Sequence, residues 1–176
     1  MLVTRIAALR ERVGGVRWVD SQTTHFTLHF FAELPAERVR AVVDAVGAVV
    51  ADQDPFTLRL GSLGSFPGGA RARVLWVGLA EESLVLGELA LRVQAAVDGC
   101  GFDLDPRSFR PHVTVGRPQP GFDLVAWREA VAEPAGFPPF SADRVLLYES
   151  RNGHHVRERL PFGAASGRPG APAETT

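Results

Sequence analysis

The chain has 176 residues, 45% of them hydrophobic, and a net charge of −1 at pH 7: enough apolar material for a buried core, and too even a charge balance for a broad polyanion-binding face. All 19 basic residues are arginine, which excludes a phosphate loop that needs a lysine and a ligase that passes through a lysyl-adenylate. The single Cys100 rules out an internal disulfide, Arg5, Arg10, Arg12 and Arg17 interrupt any apolar leader, and the longest apolar run, Ala41 to Ala51, contains Asp44 and falls far short of the roughly 20 residues that span a bilayer. A cytoplasmic protein without membrane contact is expected.

In chain order, residues 3–13 carry apolar side chains at helical spacing and end on Gly14-Gly15, so they predict a short amphipathic helix. A strand is expected over Val16 to Val19, and after a polar turn a second one from Thr24 to Phe31. Pro35 suits a first helical turn, and Val39, Val42, Val43, Val46, Val49 and Val50 form the apolar stripe of the clearest helix in the sequence. Alternation over 56–60 and the apolar run 74–79 predict two strands joined by a Gly/Pro-rich loop. A long helix is expected over Glu81 to Asp98, with acidic residues at its start and Gly99 past its last turn. A strand follows Pro111, Asp123 is placed to cap a helix running to Ala132, and strands are expected over 143–149 and 156–160. The small, Pro/Gly-rich stretch 164–176 is expected to be a disordered tail after a single domain over 1–163.

The informative feature is a repeated pattern: His25-Phe26-Thr27-Leu28 and His112-Val113-Thr114-Val115 both run histidine, apolar, threonine, apolar. In an extended strand, alternate side chains share a face, so each string would show an imidazole and a hydroxyl on one side and bury two apolar groups on the other. A lone strand histidine is ordinarily structural; two copies of the pattern, half the chain apart, carry the signal. Brought to one cleft, they supply two proton-transfer groups and two neutral hydrogen-bond donors, an inventory suited to a phosphodiester. The spacing predicts an α+β fold of two similar antiparallel-sheet/helix lobes around a central cleft, each lobe contributing one motif strand.

The stretches Val16-Arg17-Trp18-Val19 leading into His25-Phe26-Thr27-Leu28, Phe66-Pro67 followed by Arg73 to Leu79, and Phe109-Arg110-Pro111-His112-Val113-Thr114-Val115-Gly116-Arg117 resemble the two-histidine phosphoesterase superfamily, and within it the LigT-like RNA 2′,3′-cyclic phosphodiesterases, also called 2′-5′ RNA ligases. The resemblance runs from about Ala7 to Phe162. It implies a hydrolase that needs no metal or cofactor and opens a 2′,3′-cyclic phosphate on an RNA end or a nucleoside to a 2′-phosphate. His25 would be the proton donor to the 3′ oxygen and His112 the proton acceptor for the attacking water. Thr27, Thr114 and Arg117 would bind the phosphate. The same site run backwards would join RNA ends through a 2′-5′ linkage without ATP. Family members usually begin with a strand ahead of the first helix, whereas this sequence has only Met1-Leu2-Val3 there, so a thinner lobe or an exposed sheet edge is expected. After Ser150 the family usually carries a tyrosine before the final strand, where this chain has Arg157 or its neighbours.

Several residues admit two readings. Arg110 either reaches substrate or forms a surface ion pair. Phe66 and Phe102 either stack on a base or pack in the core, and Trp18 and Trp76 read as core. His29 shares a strand face with His25, which raises a metal-dependent hydrolase as a rival, although that spacing marks metal pairs chiefly on helices. His154-His155 reads as a solvated turn beside Asn152-Gly153, and Cys100 as a passive thiol. Two further alternatives are a module that binds a nucleotide or RNA end without turning it over, and a phosphoesterase for another cyclic phosphate.

Overall fold

The computed structural model describes residues 2–103, 108–133, 136–150 and 155–163. His154, the Asn152-Gly153 pair and the stretch 164–176 lie outside the described residues. The chain runs α1 (Leu2–Arg12), β1 (Val16–Trp18), a 3₁₀ turn (Ser21–Thr23), α2 (Ala36–Ala51), β2 (Phe56–Phe66), β3 (Val74–Leu79), α3 (Leu84–Gly99), β4 (His112–Pro118), α4 (Leu124–Ala132), β5 (Pro139–Ala142), β6 (Arg144–Glu149) and β7 (His155–Pro161). The fold is α+β and antiparallel. A five-stranded sheet has the order β1-β4-β3-β2-β5, and a second sheet consists of β6 and β7.

Local chemistry accounts for most element ends. The Asp123 carboxylate accepts from the Ala126 amide at 2.9 Å and starts α4 as its cap. In α3 the cap is the Ser83 hydroxyl, which accepts from the Leu86 amide, so the helix begins three residues later than its acidic prefix implied and Glu81 and Glu82 lie in the preceding loop. His155 opens β7 instead of sitting in a turn. Strand β5 opens on Pro139, directly after Pro138, and pairs only with the outer edge of β2, which is where proline is tolerated in a sheet and why its pattern is weak in the sequence.

Two hydrophobic cores hold the molecule. In the first, α1 (Ile6, Leu9) and α4 (Trp127, Ala130) cover one face of the large sheet through Leu63, Leu75, Val77, Val113 and Val115. In the second, α2 (Val42, Val46, Val50) packs against α3 (Leu89, Val93, Val97) and Phe162 beside the small sheet. The first-motif segment threads between them: Phe26 packs against the first core, Leu28 and Phe31 against the second. The two halves are unequal, with five strands in one sheet and two in the other.

Candidate active site

The face of β4 follows from its register with β3. Leu75 and Val77 have no exposed surface and mark the core side, so Trp76 and Gly78 face the other way. Trp76 pairs with Thr114 and Gly78 with His112, while Val77 pairs with Val113. His112 and Thr114 are therefore presented together on the face opposite the core, as the alternating pattern predicted.

The first motif reaches the same place by a different route. The expected strand over 24–31 is reduced to a single antiparallel bridge, Phe26 with Val113. The reason is geometric: β1 and Val19 occupy that edge of β4 as far back as Val115, whose carbonyl accepts from the Val19 amide at 2.9 Å, and β4 itself starts at His112. Only Val113 is left to pair. The 3₁₀ turn at Ser21–Thr23, capped by Asp20, takes up the intervening residues and returns the chain to the edge at Phe26. The bridge then sets Thr27 across from His112 and His25 across from Thr114. Each imidazole faces the hydroxyl of the other motif, and the two histidines lie on the diagonal, about 7–8 Å apart at the backbone by ladder geometry.

Both rings are oriented by the same device. His25 Nδ1 lies 2.8 Å from the Thr23 carbonyl oxygen, and His112 Nδ1 lies 2.7 Å from that of Arg110. A carbonyl only accepts, so each Nδ1–H donates to the backbone two residues upstream, and Nε2 becomes the nitrogen that gains or loses a proton. Both histidines are half-buried, Thr27 is exposed and Thr114 half-buried.

Arg117 shows what alternation conceals. It lies five positions after His112, which in a regular strand would place it on the opposite face. The β3–β4 register shifts by one residue, with Trp76 opposite Thr114 but Leu75 opposite Gly116, so Val115 and Gly116 together oppose Leu75. This bulge puts Gly116 on the core side and turns Arg117 back to the face of His112 and Thr114.

Around His112 the structure builds an aromatic wall. Phe66 meets the His112 ring edge-on at 5.0 Å and tilts against Trp76 at 5.1 Å, and the Arg110 guanidinium lies over Phe66 at 5.3 Å. Phe66, Trp76, Phe109, Arg110, His112 and Glu81 help line a cavity of about 360 Å³. Trp76 is thus a wall of the site and not the core residue its setting suggested, and its buried Nε1 has no hydrogen-bond partner among the described residues. The indole lies over Gly64, where an added Cβ would come within 2.3 Å of the ring. Gly64→Ala is therefore expected to displace Trp76, seen as a shift in tryptophan fluorescence, and to raise KM more than it lowers kcat; unchanged fluorescence and KM would disprove this packing.

Tyr148, the only tyrosine of the chain, was missed by sequence reasoning: from β6 its ring packs against His25 at 5.1 Å. Arg157, at the position where the resemblance raised a doubt, pairs with Glu149. Phe102 lies elsewhere, packed against Phe31 at 5.1 Å in the second core with the Arg38 guanidinium over its ring. His29 packs against Phe31 at 4.5 Å. Among the described residues no group of three or more His, Cys, Asp or Glu is placed to hold a metal ion, and no helix is long and apolar enough to cross a membrane.

A family model for the 2′-5′ RNA ligase superfamily matches residues 1–154. The chain belongs to that superfamily. Among curated relatives, the superfamily chain is 35% identical over 136 residues to an RNA 2′,3′-cyclic phosphodiesterase of Geobacillus stearothermophilus, covering 76% of this chain and 42% of that protein. It is 37% identical over 127 residues to the Escherichia coli RNA 2′,3′-cyclic phosphodiesterase, covering 66% of each. The first relatives are matched over about half their length, 42% and 57% for the Geobacillus and Archaeoglobus fulgidus proteins. In fold it is similar to a Thermus thermophilus crystal structure, with a TM-score of 0.75 at 22% identity over 92% of this chain and 90% of that one. It is also similar to E. coli LigT complexed with 3′-AMP, with a TM-score of 0.67 at 24% identity over 89% and 92%.

Proposed function

We propose that this chain hydrolyses a 2′,3′-cyclic phosphate at an RNA end or on a nucleoside to a 2′-phosphate, by acid–base catalysis between His25 and His112 and without a metal. The observation that carries the reading is the crossed arrangement of the two motifs, with both imidazoles turned by the same backbone hydrogen bond so that Nε2 does the proton transfer. The curated relatives named RNA 2′,3′-cyclic phosphodiesterase support the substrate class.

In this scheme His112 Nε2 takes a proton from water as its oxygen attacks phosphorus, the bond from phosphorus to the 3′ oxygen breaks, and protonated His25 gives its Nε2 proton to that oxygen. The two groups work from opposite sides, as an in-line displacement requires. Thr27 and Thr114 hydrogen-bond the non-bridging oxygens, and the Arg117 guanidinium offsets the charge that develops on them. With a ribose 5′-hydroxyl in place of water and the roles unchanged, His112 takes the hydroxyl proton and His25 protonates the departing 3′ oxygen, so the same groups join two RNA ends through a 2′-5′ bond, driven by the strained cyclic phosphate and not by ATP.

The test is to incubate the purified chain, treated with EDTA, with the four nucleoside 2′,3′-cyclic monophosphates and to identify the isomer released. The 2′-phosphate is expected. Release of the 3′-phosphate would reverse the assignment of acid and base, and binding without turnover would leave a nucleotide-binding module.

A further inference from the structure

We infer that Arg17 binds a second phosphate of the substrate, the phosphodiester on the 5′ side of the reacting nucleotide, so that the end of an RNA chain is preferred to a mononucleotide. The inference rests on the proposed reading of the His25/His112 site and extends it along the sheet.

Arg17 is the register partner of Arg117 in the β1–β4 ladder. Residues directly opposite each other share a face, and the bulge has placed Arg117 on the face of His112 and Thr114, so Arg17 projects from that face too. Within the ladder, Val19 donates to Val115 and Gln119 to Gly15, so the Arg17–Arg117 pair between them is a hydrogen-bonded one, with its Cα atoms about 5.5 Å apart. Two guanidiniums facing each other this closely destabilise the strand pair unless something negative lies between them. Both side chains are exposed, and neither has an ion pair among the described residues.

The face therefore reads as three rows along β4: Thr27 with His112, His25 with Thr114, and Arg17 with Arg117. The first two rows grip the reacting phosphoryl group. The third lies three β4 residues past Thr114, roughly 7–10 Å along the strand at 3.3 Å per residue. That is one step along a nucleic-acid backbone. Since Arg117 is assigned to the reacting phosphoryl in the proposed function, Arg17, on the outer strand, is left for the next phosphate. A mononucleotide has nothing to offer it. Arginine suits the task because its fork matches two oxygens of one phosphate.

The experiment compares uridine 2′,3′-cyclic monophosphate with a uridine dinucleotide ending in a 2′,3′-cyclic phosphate, for the wild type and Arg17→Gln. The wild type is expected to prefer the dinucleotide in kcat/KM, and Arg17→Gln to lose about tenfold of that preference. The salt dependence of dinucleotide KM should fall by about 0.7 in log–log slope, the value for one phosphate contact on a single strand. A loss shared equally by both substrates, or no loss on either, overturns the inference. Binding of the two 2′-phosphate products, measured by calorimetry, separates this inference from the proposed chemistry. If the wild type turns over neither substrate, the phosphodiesterase reading falls, and a dinucleotide affinity unchanged by Arg17→Gln then refutes the second-phosphate site while a tenfold drop upholds it.

Discussion

Replacing either His25 or His112 with alanine is expected to lower turnover of a 2′,3′-cyclic phosphate by about 10²–10⁴-fold, the usual contribution of one general acid or base. Neither imidazole is part of a core: both are half-buried, and their Nδ1 bonds go to backbone carbonyls only two residues upstream. The circular dichroism spectrum and melting temperature should therefore stay close to those of the parent. The pH profile of kcat/KM adds a second reading. An intact pair gives a bell, because one ring must be neutral and the other charged, and each alanine variant should lose one limb of it. Near-parental rates in both variants, or a plateau that continues through alkaline pH, would remove paired acid–base catalysis from this cleft.

Leu75→Ala is expected to be the most damaging single change to the scaffold, at about 2–5 kcal/mol for a buried leucine. Leu75 has no exposed surface and sits at the centre of the first core, beneath the bulge where one β3 residue faces two of β4. Truncation leaves a void against Val115 and removes the side chain that the bulged residues oppose. In urea, the unfolding midpoint should fall with little change in slope. A loss below about 1 kcal/mol would mean that the site collapses around the gap and that the bulge is held by other contacts.

Much of this architecture was legible beforehand because periodicity reports burial. The valine stripe of α2 became the face that packs on α3, and the run over 74–79 became the buried β3 with the bounds expected of it. Asp123 capped α4 as its position implied. The pairing of histidine with threonine on one face of β4 followed from simple alternation.

What escaped depends on contacts between distant segments. Nothing in Thr24 to Phe31 reveals that β1 has already taken the edge of β4 it would need, so an extended sequence became a segment held by one bridge. Val115-Gly116 gives no local sign that it bulges, because the shift exists only relative to Leu75. Trp76 looks apolar and buried in any sequence window; its place over Gly64 and beside Phe66 depends on the register of β2 with β3. Tyr148 comes to His25 from a different sheet. Cross-strand register is what fixes these positions, and a single chain read in order does not contain it in visible form.

The peptide around Thr27 has one further property. Phe26 is anchored in one hydrophobic body and Leu28, two residues on, in the other, with the Leu28 carbonyl also tied to the α3 side chain of Gln94 at 3.1 Å. The hydroxyl assigned to the phosphate thus sits on the seam of the molecule. An anion gripped from both motifs is therefore expected to act as a rivet across that seam, joining the two hydrophobic bodies through a single residue.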